Sequence, residues 1–184
     1  MPSRIVGLGH LSRVGKDSAA TYLQHHLQAR GKSVKCVSFA WKLKEVAFDL
    51  FEYLGVKRPV YYENHPEARQ VKLPSGKTVV DIWVEVGNKL REVDDMVWIV
   101  NAISHPDHDF VIIRDVRYDN EVRAIREFGG QVYRVDRPGF MGLDTVADNQ
   151  LRSYQGWDGY LMNDGDLKKL SATCEQVVAE WLHE

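Results

Sequence analysis

Ten residues near the start, Gly9-His10-Leu11-Ser12-Arg13-Val14-Gly15-Lys16-Asp17-Ser18, end in a glycine, a lysine and a small hydroxyl residue. That is the chemistry of a polyphosphate cradle. Backbone NH groups at a helix start converge on a β-phosphate, and the helix dipole favours the negative charge. Lys16 would reach the β- and γ-phosphates as a mobile point charge, and Ser18 would contact a phosphate or help organise magnesium. Asp17, directly after the lysine, either orients a magnesium-bound water or the attacking phosphate, or simply suits the positive helix start. The spacing departs from GxxxxGK(S/T). Five residues separate Gly9 from Gly15, and His10 stands where the first glycine of the pattern belongs. The bland alternative is a strand-to-helix turn capped by Ser18. An apolar run before the loop and an amphipathic run after it favour the phosphate reading, and His10 is expected to be a packing or surface residue.

A second group of charged residues follows another apolar run. In "FVIIRDVRYDNE", Arg114, Asp115 and Arg117 come after four apolar residues and precede a helical segment containing Glu121. Asp115 could hold magnesium through water and Arg117 could contact a phosphoryl group; an ion pair with helix capping is the plain alternative. "QVYRVDRPG" brings Arg137 to the end of a further run, and Arg152 follows in a polar stretch. Phosphoryl transfer gains most of its rate from positioning and from cations around the moving group, so arginines arriving from several loops fit that chemistry. Arg91 could face a substrate phosphate or only solvent. Trp98 in the same stretch reads first as core. The turn Asn163-Asp164-Gly165 could lie against a nucleotide base or act only as a turn and cap.

These residues need a scaffold that delivers them to one edge, and the sequence alternates accordingly. Ile5 to Leu8, Val34 to Phe39, Phe110 to Ile113, Val132 to Val135 and Tyr160 to Met162 are short branched or aromatic runs that suit strands buried on both faces. Between them, Ser18 to Arg30, Trp41 to Leu54, Glu121 to Phe128 and Leu167 to Leu182 carry apolar residues at helical spacing, and "GNKLREVDDMVWIVNAI" reads as two more helices. Alternation with short turns predicts α/β architecture, a parallel sheet covered on both sides with right-handed connections. Ligands of such sheets bind at the carboxyl ends of the strands, where both charged groups above would sit. Val56 to Val80 and Arg137 to Asp158 break the rhythm. The first is polar, holds Pro59, Pro66 and Pro74, and has a hairpin-like turn at Pro74-Ser75-Gly76; the second lacks periodicity. Both are expected to be working loops.

Composition sets the outer bounds. One domain is expected from 184 residues, of which 44% are hydrophobic and 27% charged. A net charge of -2 argues against holding nucleic acid by bulk electrostatics. Cys36 and Cys174 lie far apart without metal-ligand spacing and suit a reducing compartment. The start lacks a signal-peptide layout and the chain lacks a membrane-length apolar run, so a cytoplasmic protein without membrane contact is expected. Tyr61, Tyr62 and Trp157 are expected to be exposed, which leaves room for a homodimer interface.

With those pieces in order, "RVGKDSAATYL", "SFAWKLKEVA", "GNKLREVDDMVW", "VIIRDVRYDNEVRAIREFGGQVYRVDRPG" and "LMNDGDLKKL", the chain resembles the bacteriophage-type deoxynucleoside monophosphate kinases of the adenylate-kinase-like group. The resemblance implies a three-layer P-loop NTPase fold. It has a five-stranded parallel sheet flanked by helices, with a substrate-side insert at 56–80 and a lid-like insert at 137–158 in a single kinase domain spanning 1–184. It implies transfer of the γ-phosphoryl of ATP, with Mg2+, to a (deoxy)nucleoside monophosphate in the cytoplasm, that of the host cell if the chain is phage-encoded. Lys16, Asp115, Arg117 and Arg137 would be catalytic. Arg13, Val14, Gly15, Lys16, Asp17, Ser18, Ala19, Asn163, Asp164 and Gly165 would hold the nucleotide, with Ser18 and Asp115 at the metal. Asp17, Lys44, Arg91, Trp98 and Arg152 would serve the acceptor, with Phe39, Ala40 and Leu43 near it. His10 and the segment from Val56 depart from the family pattern, as does Phe140 to Tyr154. Two other readings stay open: a kinase for another acceptor such as dephospho-coenzyme A, and a nucleotide-binding module without transfer activity.

Overall fold

Five strands, Arg4–Gly9 (β1), Val34–Val37 (β2), Phe110–Val116 (β3), Gln131–Asp136 (β4) and Gly159–Met162 (β5), pair in parallel in the order β2-β3-β1-β4-β5. They are seen in a computed structural model that describes residues 3–103, 107–142 and 146–183. β1 lies between β3 and β4, with Gly7 opposite Ile113 on one side and Val132 on the other. The loop after β1 therefore leaves the sheet where the strand order switches direction, the point at which open α/β sheets place ligands.

The chain clusters into two units, one from Met1–Ser38 with Ala102–Glu184 and the other from Phe39–Asn101. The first holds the sheet. On one face, Val6 and Leu8 pack with Leu23 and Leu27 of helix α1 (Lys16–Ala29) and with Leu170, Cys174 and Val178 of helix α8 (Leu167–Leu182). Both helices owe their register to apolar residues three and four apart. Asp166 caps α8 by accepting from the NH of Lys169 at 2.9 Å. On the opposite face, helix α6 (Asp119–Glu127) comes so close to β1 that a Cβ on Gly7 would stand 2.6 Å from Ile125 Cδ1. Glu121 holds the start of α6 by accepting from the NH groups of Arg117 and Tyr118 at 2.7 and 3.1 Å.

The second unit contains α2 (Phe39–Phe51), α3 (Pro59–Asn64), α4 (Val79–Val93) and most of α5 (Val97–Ile103), around a core that includes Phe48, Val56, Tyr62, Ile82 and Trp83. The strand expected to reach Phe39 stops at Val37, and Phe39 opens α2 instead. Part of the segment read as irregular is helical, because Pro59 and Pro66 each sit in the first turn of a helical segment. Proline's fixed φ suits that position, and its missing NH is no loss there. The hairpin expected around Gly76 exists as a single antiparallel bridge between Lys72 and Thr78. Thr78 and Asp81 then form a capping box that starts α4.

Two aromatics are not exposed as expected. Tyr62 is buried with its ring edge-on to Trp83, and Trp157 is buried against Gly9 while its indole NH donates to Tyr154 O at 2.9 Å. Only Tyr61 of the three is exposed. Within the lid-like insert, helix α7 (Val146–Gln150) and the buried Leu151 supply structure that composition did not suggest, while residues 143–145 lie outside the described residues. Among the described residues no helix is long and apolar enough to cross a membrane.

Candidate functional site

The loop between β1 and α1 turns on three residues with left-handed backbone: His10 at φ 95°, Arg13 at φ 59° and Gly15 at φ 101°. Glycine is required twice over at position 15, since a Cβ there would also stand 2.5 Å from Asn163 Nδ2. Asn163 braces the loop from the end of β5 by donating through Nδ2 to Val14 O at 2.9 Å. Its own NH donates to Asp136 O at 2.7 Å, which links the loop to β4 as well.

Lys16 occupies the first position of α1 and is only 6% exposed. Its ammonium donates to Leu11 O at 2.5 Å and His10 O at 3.2 Å, so the loop's own carbonyls hold the charge. Burial pulls the Lys16 pKa down to about 8, and the guanidinium of Arg117 adds to the shift. An anion arriving beside this ammonium would remove part of that penalty.

Arg13, Gly15, Lys16, Asp17, Ser18, Asp115, Arg117, Arg137, Asn163 and Gly165, expected from four separate stretches, line one cavity of about 580 Å³ together with Arg114, Asp166 and Leu167. Five cationic residues against three acidic ones make the lining suit a polyanion. The acids are partly engaged. Arg114 Nη1 lies 3.7 Å from Asp17 Oδ1, and Ser38 Oγ donates to Asp115 Oδ2 at 2.6 Å. Ser18 and Asp115 offer oxygen donors of the kind that magnesium prefers, and magnesium retains water and takes phosphate oxygens for the rest. No group of three His, Cys, Asp or Glu with metal-holding geometry occurs among the described residues, so the donor set fits a phosphate-bound magnesium ion rather than an all-protein cage.

Other expected residues stand elsewhere. Val14, in the loop, and Ala19, in α1, are buried, and Asp164 pairs with Lys169 at 2.8 Å. His10 and Arg152 line a neighbouring cavity of about 360 Å³ with Leu11, Arg134, Asp136, Phe140 and Met162; Arg137 lines both cavities. His10 is a buried packing residue, and burial and the nearby Arg134 lower its pKa. Lys44, Arg91 and Trp98 belong to the second unit. Lys44 Nζ lies 5.1 Å from the Trp83 ring centroid, and Arg91 Nη1 lies beside Gly87. Trp98 is 2% exposed and donates to Gly87 O at 3.3 Å, the place of a core residue.

Two residues that hydrogen-bond Arg117 of this lining escaped the reading of the sequence. Ser12 and Asp148 are both buried, and Asp148 Oδ1 accepts from Ser12 N at 2.9 Å, Ser12 Oγ at 2.6 Å and Arg117 Nη1 at 2.8 Å. A lone aspartate in an aperiodic polar stretch carries no local signal of such a role.

Comparison with known proteins agrees with this architecture. No protein-family model matches the chain. A curated protein of Acanthamoeba polyphaga mimivirus described as "Putative deoxynucleotide monophosphate kinase" is 34% identical over 74 residues, 40% of this chain. The match spans 38% of that protein's length, so the chain covers about two fifths of the curated relative it matches. Among solved structures, the APS kinase CysC of Mycobacterium tuberculosis in complex with AMPPNP and APS is 14% identical with a TM-score of 0.50, covering 100% of this chain and 99% of that one. APE1195 is 16% identical with a TM-score of 0.51, covering 97% of this chain and 96% of that one. At such identities the likeness shows the fold: a P-loop NTPase architecture with its five-stranded parallel sheet between helices.

Proposed function

We propose that the chain is an ATP-dependent (deoxy)nucleoside monophosphate kinase that works with magnesium. The observation that carries this reading is the convergence of Lys16, Arg114, Arg117 and Arg137 on the cavity at the start of α1. A nucleotide-binding module needs the loop amides and the lysine. Arginines delivered from the ends of β3 and β4 fit a group that moves and carries charge as it does so. The partial likeness to the mimivirus protein supports a deoxynucleoside monophosphate as acceptor.

In this reading the loop amides and Lys16 hold the β- and γ-phosphates, and Ser18 with Asp115 would hold magnesium. The metal supplies charge neutralisation across the phosphates when bound. An oxygen of the acceptor's phosphate attacks the γ-phosphorus, the bond from that phosphorus to the β-bridging oxygen breaks, and ADP departs with the electron pair. Arg117 and Arg137 neutralise the charge on the transferring group. Arg152 is an acceptor-side residue, and its alanine variant should raise KM for the monophosphate more than KM for ATP.

The test is an ADP-release screen with purified protein, MgATP and each common ribo- and deoxyribonucleoside monophosphate, with dephospho-coenzyme A alongside. Diphosphate product with at least one monophosphate, and a loss of about 10²-fold or more in Lys16→Ala, is the expected result. Product with none of the monophosphates would end this reading, and product from dephospho-coenzyme A alone would replace it.

A further inference from the structure

The lid-like insert sends one carboxylate into the phosphate loop. Asp148, on the short helix α7, is 2% exposed, and its Oδ1 accepts from the Ser12 amide, the Ser12 hydroxyl and Arg117 Nη1. Arg117 Nη1 also donates to Ser12 Oγ at 2.8 Å, so carboxylate, hydroxyl and guanidinium form a closed triangle. The chain behind it is tight: Gly142 has φ +78°, and a Cβ there would stand 2.9 Å from Asp148 Oδ2. A buried carboxylate is held this way only when its donors are in place, and removing a partner leaves a costly group behind.

The triangle constrains the arginine. Among the described residues, the hydrogen bonds of the Arg117 guanidinium use Nη1 alone, while the side chain lines the cavity beside Lys16 and Ser18. One corner of the fork is anchored, and Nε and Nη2 are left to meet an anion there. Arginine on a mobile stem would lose rotamer freedom on engaging a phosphate; an anchored one has already lost it.

We infer that Asp148 is a positioning residue of the phosphate site, which fixes Arg117 against Ser12 of the loop so that its remaining donors meet the ligand's phosphates. The inference rests on the kinase reading for its effect on turnover, and on polyphosphate binding alone for its effect on affinity.

A double-mutant cycle separates the two. Wild type, Asp148→Asn, Arg117→Ala and the double variant are compared for affinity toward inorganic tripolyphosphate by calorimetry, and for monophosphate-dependent turnover. Asp148→Asn should weaken tripolyphosphate binding and lower kcat by roughly 10- to 100-fold, the scale of a misplaced catalytic group, while changing both by less than about twofold once Arg117 is alanine. A merely structural aspartate would give effects that multiply, and that result overturns the inference, as does an Asp148→Asn protein with wild-type affinity. If wild type binds tripolyphosphate yet converts no monophosphate, the kinase reading fails and the affinity cycle still decides the role of Asp148. If wild type does not bind tripolyphosphate, both fail. Should Asp148→Asn not fold, Ser12→Ala removes the shared hydroxyl with a smaller disturbance, and the same coupling to Arg117 is expected.

Discussion

His10 Nδ1 lies 2.8 Å from Asp136 Oδ1, which joins the first turn of the phosphate loop to the end of β4, one residue before Arg137. The backbone at His10, at φ 95°, is of the kind that favours glycine. Its side chain lines the cavity with Arg134 and Asp136, while only its carbonyl meets Lys16. Two opposed effects follow for substitutions. His10→Ala keeps the strained backbone and loses the contact, whereas His10→Gly loses the contact and relieves the strain. Urea unfolding should find the glycine variant more stable than the alanine variant by about 1 kcal/mol. ATP affinity of His10→Gly should stay within about twofold of wild type, since the ring does not line the cavity that holds Lys16.

On the kinase reading, Lys16 should make nucleotide binding pH-dependent. Its folded-state pKa is lowered to about 8 from an ordinary 10.5, so the ammonium is half charged near pH 8, charged well below it and neutral well above it. A bound polyphosphate favours the charged form and raises the pKa again. ATP affinity should therefore be level up to about pH 8 and then fall by as much as tenfold per pH unit until the bound-state pKa is reached. Calorimetry at pH 8.5 in buffers of different ionisation enthalpy should register proton uptake on binding, and Lys16→Met should abolish it. For folding the sign is opposite. Because the folded pKa lies below the unfolded one, this residue makes stability rise with pH between about 8 and 10.5.

Gly7 sits where β1 and α6 meet, with Ile125 Cδ1 2.6 Å and Val116 Cγ2 2.9 Å from the place of a Cβ. Gly7→Ala should cost about 1–3 kcal/mol through overpacking. Ile125→Val removes the nearest methyl group. The double variant should recover part of the loss in thermal unfolding, and a double variant no more stable than Gly7→Ala would show that Val116 alone sets the limit.

Asn163 tests the brace on the loop. Asn163→Asp replaces the amide that donates to Val14 O with an oxygen facing an oxygen. A stability loss of about 1–3 kcal/mol is expected, with weaker ATP binding because the Val14-Gly15 turn loses its support. Asn163→Ala, which leaves no opposing acceptor, should lose less in both measurements.

Much of the scaffold was legible because burial writes itself into periodicity. β1, β3 and β4 follow apolar runs, and α8 follows Leu170, Cys174, Val177 and Trp181 at helical spacing. Local signals misled where one residue type serves two ends. Pro59 and Pro66, in a segment expected to be a working loop, begin helical turns, and Tyr62 and Trp157, placed in polar stretches, are buried by partners far along the chain.

The sequence by itself determined the chemistry of the loop. The order Gly15-Lys16-Asp17-Ser18 between a strand and a helix places a cation and amide donors at a helix start, and local backbone geometry alone suffices for that. The strand ends carrying Asp115 and Arg137 were likewise readable, because a parallel sheet brings all its carboxyl ends to one edge. Only the tertiary structure decided which side chains touch. Ser12 and Asp148 stand 136 residues apart and share a hydrogen bond, as do Arg117 and Asp148 at 31. Such contacts depend on the packing of a short, aperiodic insert against the loop, and packing between distant segments leaves no periodic trace in the sequence that makes it.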